Sequence, residues 1–281
     1  MKLQTRIDKY LLKALEDKSE MGEEAIERFG ERCKDALRKQ FNGKKHDYTL
    51  RMSTIGKPLC QQQMDKSGAK GEPLPPSLKM KFTYGDMVEA LMMAILEDSG
   101  AKIESYQEEV RYDLGAANIK GTLDVIIDGK VYDIKSASKT AFKKFSHPYG
   151  IMRIVSDDPF GYVSQGYLYS AAKGLPFGGW IVFNKETGDI AICEAPKVGS
   201  SYEKVAIETA RKNAKSLVND EPFERCFEKE VEKVRKRPTS NYVLPLTCRY
   251  CKFKSTCWGD ELGFHKNPRG ETFKWYVGKP V

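Results

Sequence analysis

The segment GTLDVIIDGKVYDIKSAS, residues 121–138, carries the side chains best suited to chemistry. Asp128-Gly129 between two β-rich runs is typical of a two-residue hairpin loop. That loop predicts a register in which Asp124 and Asp133 stand opposite each other, about 5 Å apart at Cβ, with Lys135 on the same face. Two anions so placed repel each other, so the pattern predicts a cation between them.

A hard divalent metal is the natural cation, because Mg²⁺ or Mn²⁺ prefers carboxylate oxygens and leaves room for a phosphate oxygen. Such an ion can activate water against a phosphodiester, and Lys135 would stabilise the developing charge. Glu89, on the apolar face of a helix predicted over 83–96, is a candidate third ligand because a carboxylate there needs a partner. The competing interpretation is an exposed hairpin with scattered surface charges.

A second group of chemically competent residues is a C-x(2)-C-x(5)-C cluster formed by Cys248, Cys251 and Cys257. Cys60, in a short run of turn residues upstream of the hairpin, is the preferred fourth ligand. Four thiolates suit either a four-iron four-sulfur cluster or structural zinc, and a reduced-thiol loop without metal is the alternative. The remaining cysteines have no partner spacing and are expected to be ordinary thiols: Cys33, Cys193 and Cys226.

The elements that must position these residues follow from hydrophobic periodicity and turn signals. Residues 1–40 indicate one or two exposed helices forming an appendage, and 52–77 a connector or surface loop. The helix over 83–96 is expected to be capped by Thr83 and to stop at Asp98-Ser99-Gly100. The chain then continues with predicted strands over 103–112, 119–127 and 130–137 and a helix over 158–172. Strands over 178–184 and 189–194 and a long charged helical stretch over 202–237 follow.

Composition bounds the class of protein. The 281 residues include 47 Lys plus Arg and 39 Asp plus Glu, a net charge of +8, with 40% hydrophobic and 31% charged residues. This supplies a core and argues against wholesale disorder. The sequence has no apolar run of membrane-spanning length and no signal-type start, which predicts a cytoplasmic protein, or one in the host cytoplasm if phage-encoded.

Taken in order, these motifs resemble those of the PD-(D/E)xK nuclease superfamily and, within it, the RecB-like exonuclease branch. Asp124 matches the motif's Asp, and Asp133-Ile134-Lys135 matches its D-x-K. Gly85 to Glu89 matches the Gly-x-x-x-His element with Glu in place of His, while Gln165 and Tyr169 match Gln-x-x-x-Tyr. The resemblance covers residues 82–195, and phage-type relatives with a carboxylate in place of His are plausible.

The resemblance implies an α/β fold with a restriction-endonuclease-like αβββαβ core, N- and C-terminal helical additions and a four-cysteine metal clip. Residues 81–197 would form the nuclease core, 1–80 a helical region and connector carrying Cys60, and 198–281 a helical region with the cysteine cluster. One upstream cysteine plus the C-terminal triad looks like the iron-sulfur nucleases of this branch, including AddB and the CRISPR-associated exonucleases. This similarity favours a four-iron four-sulfur cluster over zinc.

The implied function is a Mg²⁺- or Mn²⁺-dependent DNA exonuclease in recombination, repair or phage DNA processing, acting on single-stranded DNA or duplex ends. Glu89, Asp124, Asp133 and the Ile134 carbonyl would be metal ligands, and Gln165 with Tyr169 would reach DNA or the attacking water. An endonuclease or flap nuclease of the same fold, or a non-catalytic DNA-binding subunit with a structural metal site, are the alternatives. A recombination or replication protein is a further expected partner, and the oligomeric state is open.

Basic, aromatic and hydroxyl side chains around the hairpin are the expected DNA contacts. Some of the aromatic rings would stack on single-stranded bases, while more of them would belong to the core. These candidates are Lys135, Lys139, Lys143, Lys144, Arg153, the run 229–237, Phe142, Phe145, Tyr149, Phe160, Tyr162, Ser136 and Ser138. The stretch between the D-x-K strand and the Gln165 helix is long for a connection and predicts a substrate-covering loop.

Overall fold

The computed structural model describes residues 1–43, 47–266 and 273–278. The helices are α1 Leu3–Leu15, α2 Glu23–Phe41, α3 Met52–Ile55, α4 Leu59–Lys66, α5 Pro76–Asp98, α6 Lys139–Phe145, α7 Gly150–Val155, α8 Tyr162–Lys173, α9 Ser201–Val218, α10 Leu246–Arg249 and α11 Lys254–Trp258. The strands are β1 Ile103–Asp113, β2 Asn118–Ile127, β3 Lys130–Ala137, β4 Phe177–Asn184, β5 Ile190–Glu194, β6 Glu230–Val234, β7 Arg237–Val243, β8 Leu262–Lys266 and β9 Phe273–Val277. No helix in the described ranges is long and apolar enough to cross a bilayer.

A five-stranded sheet, in the order β1-β2-β3-β4-β5, forms the centre of an α/β fold. β3 and β4 are parallel and the other neighbours are antiparallel. A parallel pair needs a crossover connection, and the segment containing α6, α7 and α8 supplies it. The predicted order of a helix, three strands, a helix and further strands is confirmed.

Helices cover both faces of this sheet. On one face, α1 and α5 pack against side chains of the central strands, including Val125 and Ile134. On the other face, α3, α8 and α9 pack against Leu123, Ile126 and Val131. The candidate site residues of the hairpin therefore lie inside a three-layer arrangement, which limits their access to water.

The N-terminal helices are part of the core, so the predicted appendage is wrong. α1 buries Leu3, Ile7 and Tyr10, whose spacing of four and three places them on one helical face. The leucines emphasised by the sequence pattern, Leu12 and Leu15, are exposed. α2 packs alongside α5.

α5 begins earlier than predicted. Pro76 starts the helix, as suits a residue with no backbone N–H to satisfy in the first turn. Thr83 therefore lies inside the helix instead of capping it, and its hydroxyl donates to the Lys79 carbonyl at 3.0 Å. The predicted stop is confirmed, because the helix ends at Asp98 and Gly100 follows with a φ of +76°.

Two predicted loops are helical. The connector over 52–77 contains α3 and α4, and Met52 and Ile55 are fully buried beneath the sheet. The expected substrate-covering loop contains α6 and α7, which bury Phe142, Phe145 and Ile154. The apolar side chains of both segments pack against strands that are distant in sequence. Neither segment therefore shows a clear helical periodicity of its own.

The C-terminal region is not the all-helical segment that was predicted. α9 ends at Val218, before Asp220 with a φ of +51° and Pro222, which cannot donate a helical hydrogen bond. A second sheet follows, in the order β6-β7-β9-β8. Arg235 and Lys236 both have positive φ and form the tight β6–β7 turn, so the basic run is a hairpin.

We predict that two Gly→Ala substitutions in helices have opposite effects on stability. In α8, a Cβ on Gly166 would overlap the buried Phe177 ring, so Gly166→Ala should lower the free energy of unfolding by about 1–3 kcal/mol. Gly30 in α2 has no atom within 4 Å of the added Cβ. Gly30→Ala should therefore stabilise the protein by about 0.5–1 kcal/mol. Urea denaturation measures both, and a stabilising Gly166→Ala would contradict the packing described here.

Candidate functional site

The predicted hairpin is present with the predicted register. Asp128 and Gly129 have φ of +48° and +72°, as a tight turn with two left-handed residues requires. Ile127 pairs with Lys130, and the ladder runs inward to the pair Val125 and Tyr132. The paired ladder ends there, one position before Asp124 and Asp133.

β2 and β3 separate at the two aspartates and leave a gap in the sheet. The Ile134 backbone N–H donates to Asp124 Oδ2 at 2.7 Å, where a backbone carbonyl would accept in a continued ladder. Leu123 and Ile126 both face α8, although strict alternation would place them on opposite faces. The strand therefore changes phase at Asp124, and this irregularity turns the carboxylate into the gap.

Both carboxylates are buried, with Asp124 9% and Asp133 1% exposed. Lys135 Nζ lies 2.7 Å from Asp133 Oδ2 and provides a positive charge beside the pair. Asp133 Oδ1 has no hydrogen-bond partner in the described part of the chain. Because buried polar atoms are nearly always satisfied, an unpartnered carboxylate oxygen at this position points to a cation or a bound water.

The electrostatics of the gap favour proton or cation binding. Burial raises the pKa of Asp124 well above its usual value, and the charges of Asp133 and Glu89 raise it further. Burial also raises the pKa of Asp133, although Lys135 opposes the shift. Burial would lower the pKa of Lys135, but the two aspartates outweigh it, so the pKa rises and the ammonium stays charged.

Glu89 approaches the gap from α5, which packs on the face of the sheet opposite to α8. Burial raises the pKa of its carboxyl group, while Lys39 and a hydrogen bond from Gln107 lower it. Gln107 lies on β1 between the pairs Tyr106–Val125 and Glu108–Leu123, and its φ is +48°. Sequence reasoning missed Gln107, because no motif marks an isolated glutamine whose backbone leaves the ladder opposite Asp124.

The Gln-x-x-x-Tyr residues lie on one face of α8, as one-turn spacing predicts. Gln165 Nε2 donates to Tyr169 Oη at 3.2 Å. Burial raises the pKa of Tyr169, the hydrogen bond from Gln165 opposes the shift, and the charges of Asp133 and Asp124 add to it. Gly121 makes room for the ring, because a Cβ there would lie 2.6 Å from Tyr169 Cε1.

The gap fits a divalent cation by its chemistry more than by its present geometry. No group of three or more His, Cys, Asp or Glu within the described residues is arranged to hold a metal ion. Instead, the Lys135 ammonium pairs with Asp133 and supplies the positive charge beside it. The acidic donors and the unpartnered Asp133 oxygen suit Mg²⁺ or Mn²⁺, and ligation by Glu89 and the Ile134 carbonyl stays a prediction.

A second candidate site contains the clustered cysteines. The four predicted ligands line one small cavity, with Trp258 and Phe227 forming part of its wall: Cys60, Cys248, Cys251 and Cys257. The N-terminal connector and the C-terminal region thus meet at this cavity, although within the described residues the four thiols are not arranged to hold a metal ion. The donor chemistry suits an all-thiolate metal centre.

Cys226, expected to be an ordinary thiol, contacts Cys60 although it does not line the cavity. The Cys60 backbone N–H donates to Cys226 Sγ at 3.1 Å. A hydrogen bond from the Cys60 thiol lowers the pKa of Cys226 to about 6, and the same contact raises the pKa of Cys60. No sequence spacing marks Cys226, because the long connection between Cys60 and Cys226 hides their contact. Cys193 is buried among core residues, as expected for an ordinary thiol.

A groove of about 530 Å³ opens beside Lys135. Ser136, Ser138 and Lys185 line it together with Phe160 and Tyr162, so several predicted DNA contacts lie in one place. A Cβ added to Gly85 would lie 3.5 Å from Ser136 Oγ, which puts the predicted Gly85 element beside the groove. Tyr149 does not line this groove, and the basic run 229–237 lies in the second sheet.

No family model matches the chain, and no curated protein matches it. Two solved structures are similar to it at low sequence identity. The crystal structure of SSO0001 is 15% identical with a TM-score of 0.41, covering 81% of this chain and 95% of that chain. A protein from Eubacterium rectale described as "Putative exonuclease" is 17% identical with a TM-score of 0.39, covering 74% of this chain and 90% of that chain. At this level of similarity neither structure bears on what this chain does.

We predict that Asp124→Asn stabilises the metal-free protein at neutral pH, by about 1–2 kcal/mol, because it removes a buried charge. The raised pKa means that ionised Asp124 destabilises the fold at high pH and that this effect fades as pH falls through the raised pKa. The gain from Asp124→Asn should therefore shrink in mild acid. Urea denaturation in EDTA at both pH values measures it.

The matched control is Asp35→Asn, at an exposed ion pair on α2. Its effect should stay within about 0.5 kcal/mol at both pH values. Equal effects of the two substitutions, or a loss of stability in Asp124→Asn at neutral pH, would contradict the electrostatic description of the gap.

Proposed function

We propose that this chain is a divalent-metal-dependent deoxyribonuclease of the PD-(D/E)xK superfamily, from its RecB-like branch, and that it degrades DNA from an end. The observation that carries the proposal is the pair of buried carboxylates beside Lys135, with Asp133 Oδ1 unpartnered at a gap in the sheet. The order α5, β1, β2, β3, α8, β4 supports it, since this is the αβββαβ order of that superfamily. The groove beside Lys135 provides a route for a nucleic-acid strand.

Each residue of the gap has a distinct role in this proposal. Asp124 and Asp133 would hold the metal, and Glu89 and the Ile134 carbonyl would complete its ligands. When bound, Mg²⁺ or Mn²⁺ supplies Lewis-acid activation of the phosphodiester and of water. Lys135 remains charged and stabilises the negative charge that develops on the phosphate oxygens. Gln165 and Tyr169 orient the attacking water or the DNA backbone through the hydrogen-bonding face of α8.

The ion pair between Lys135 and Asp133 must relax for this chemistry. Asp133 would hold the metal in place of the Lys135 ammonium, and Lys135 would then turn toward the phosphate. The cation–π contact between Lys135 Nζ and the Tyr162 ring, at 5.0 Å, already lies on the groove side of the lysine. Metal binding and positioning of Lys135 are therefore coupled in the proposal.

The cysteine cluster is proposed to hold a four-iron four-sulfur cluster, with structural zinc as the alternative metal. Cys60, Cys248, Cys251 and Cys257 would be its ligands, because they line one cavity. Ligation would join two segments nearly two hundred residues apart and so restrict the unfolded chain. The role is architectural, since the cluster lies outside the gap between β2 and β3.

We predict that Lys135→Met lowers kcat for DNA cleavage by about 10²–10³-fold, because a preorganised positive charge is lost from the transition state. Measurement uses end-labelled single- and double-stranded DNA with Mg²⁺, Mn²⁺ or EDTA. The matched control is Lys130→Met, at the exposed end of the same strand, which should retain wild-type activity. Binding of DNA in EDTA checks that Lys135→Met is folded.

The outcome separates the competing functions. Mononucleotide or short-oligonucleotide release from an end supports an exonuclease, and internal cleavage supports an endonuclease or flap nuclease of the same fold. If the wild-type protein binds DNA but shows no metal-dependent cleavage, the catalytic proposal is contradicted and a non-catalytic DNA-binding subunit is supported.

We predict that Cys251→Ser removes bound metal from the cysteine cluster, because it deletes one of four thiolate ligands. Protein purified without oxygen should contain iron and sulfide and absorb visible light, and the variant should lose both properties. Cys33→Ser, which alters a cysteine of α2 away from the cluster, is the control and should retain them. Colourless protein with one equivalent of zinc would replace the iron-sulfur assignment, while metal-free wild type would contradict the site.

A further inference from the structure

A row of aromatic rings leads away from the proposed catalytic lysine along the groove. Lys135 Nζ lies over Tyr162, and the Tyr162 and Phe160 ring centroids are 5.4 Å apart. Phe160 is in turn 5.8 Å from Tyr250. All three rings line the groove. The inner end is anchored by Phe145, which contacts both Tyr162 and the buried Trp180.

The outer rings are exposed to an extent that core packing does not explain. Phe160 is 41% exposed and Tyr250 is 63% exposed, although each has an aromatic neighbour on one side. Rings fixed in this way offer free faces at little cost in side-chain entropy, since their position is already set. Such faces match unpaired nucleobases, each of which has a flat π surface.

Other residues that line the groove are polar. Ser136, Ser138 and Thr140 line it with Lys185, for which no ion pair occurs within the described ranges. Hydroxyl groups and lysine are common contacts for phosphate oxygens. The groove thus offers aromatic rings suited to bases and polar side chains suited to a sugar-phosphate backbone.

The acidic residues of the groove are already engaged. Asp157 pairs with Lys144. Asp158 accepts hydrogen bonds from the Tyr162 and Val163 backbone N–H groups, each at 2.9 Å, and so caps α8. Lys185 is therefore the groove-lining charge that an entering phosphate backbone would meet without a competing ion pair among the described residues.

We propose that this groove binds an unpaired segment of single-stranded DNA, whose bases stack on Phe160 and Tyr250 while its phosphates face Ser136, Ser138 and Lys185. The inference rests on the proposed nuclease function, because it sets the phosphate to be cleaved beside Lys135. Paired bases already stack inside a duplex and cannot use the ring faces along the groove. The groove therefore selects unpaired DNA at the cleavage site.

Tyr250 also connects this groove to the cysteine cluster. It lies between Cys248 and Cys251, and the Cys251 N–H donates to the Cys248 carbonyl at 3.1 Å, which closes a tight turn around it. Leu246, in the same short helix as Cys248, lines the groove as well. A metal held by these cysteines would fix the Tyr250 ring, so the clip would serve DNA binding at a distance from the carboxylates.

The test compares Tyr250→Ala with Phe223→Ala, because Phe223 is 46% exposed and lies outside the groove. Fluorescence anisotropy with a labelled oligothymidine and with a labelled blunt duplex, in EDTA, measures binding without cleavage. Tyr250→Ala should weaken oligothymidine binding by about 5- to 100-fold, as loss of one stacked base implies. Phe223→Ala should match wild type, and Tyr250→Phe should restore binding because it keeps the ring.

Each outcome decides the proposal. If the wild-type protein cleaves DNA and Tyr250→Ala binds oligothymidine as tightly as wild type does, the groove assignment is overturned and the nuclease proposal stands. Equal weakening of duplex binding overturns the selection for unpaired bases. A wild-type protein that neither binds nor cleaves DNA overturns both proposals. Metal content of Tyr250→Ala equal to wild type shows that the cysteine cluster is intact and that the effect comes from the ring.

Discussion

The burial of two aspartates side by side at a break in the central sheet is the constraint on which the rest of the structure depends. Carboxylates in such surroundings are costly unless a cation and directed hydrogen bonds accompany them. Here Lys135 contacts Asp133 at 2.7 Å, and the Ile134 amide donates to Asp124. One oxygen of Asp133 is still unpartnered in the described residues. The protein thus retains two buried carboxylates that lower the stability of its fold, as binding sites often do.

Elements from both faces of the sheet converge on that break. α5 brings Glu89 from one side, and α8 brings Gln165 and Tyr169 from the other. The close approach of α8 depends on the absence of a side chain at Gly166, which lies against the Phe177 ring. The site is therefore assembled by packing between layers, and its precision comes from the core that surrounds it.

Local sequence patterns predict much of the central sheet and of the candidate site. Asp128-Gly129 defines a turn whose geometry sets the register of its strands, and the four-residue spacing of Gln165 and Tyr169 defines a shared helical face. The order of helices and strands across the central sheet follows from similar local patterns. These features need no knowledge of distant residues.

Features that depend on distant contacts could not be predicted. The phase change at Asp124 and the left-handed Gln107 opposite it arise from strand pairing, and the Cys60–Cys226 contact joins residues far apart in sequence. The second sheet was mistaken for a helical extension because its charged residues mask the alternation. The same non-local packing brings Tyr250 to the groove.

The central claim is that the buried carboxylates bind a divalent metal, and Mn²⁺ binding followed by electron paramagnetic resonance tests it most directly. We expect wild-type protein and Cys251→Ser both to bind Mn²⁺, whereas Asp133→Asn, shown by circular dichroism to be folded, should bind it at least about tenfold more weakly. Mn²⁺ binding unaffected by Asp133→Asn, or absent from the wild type, would contradict the account.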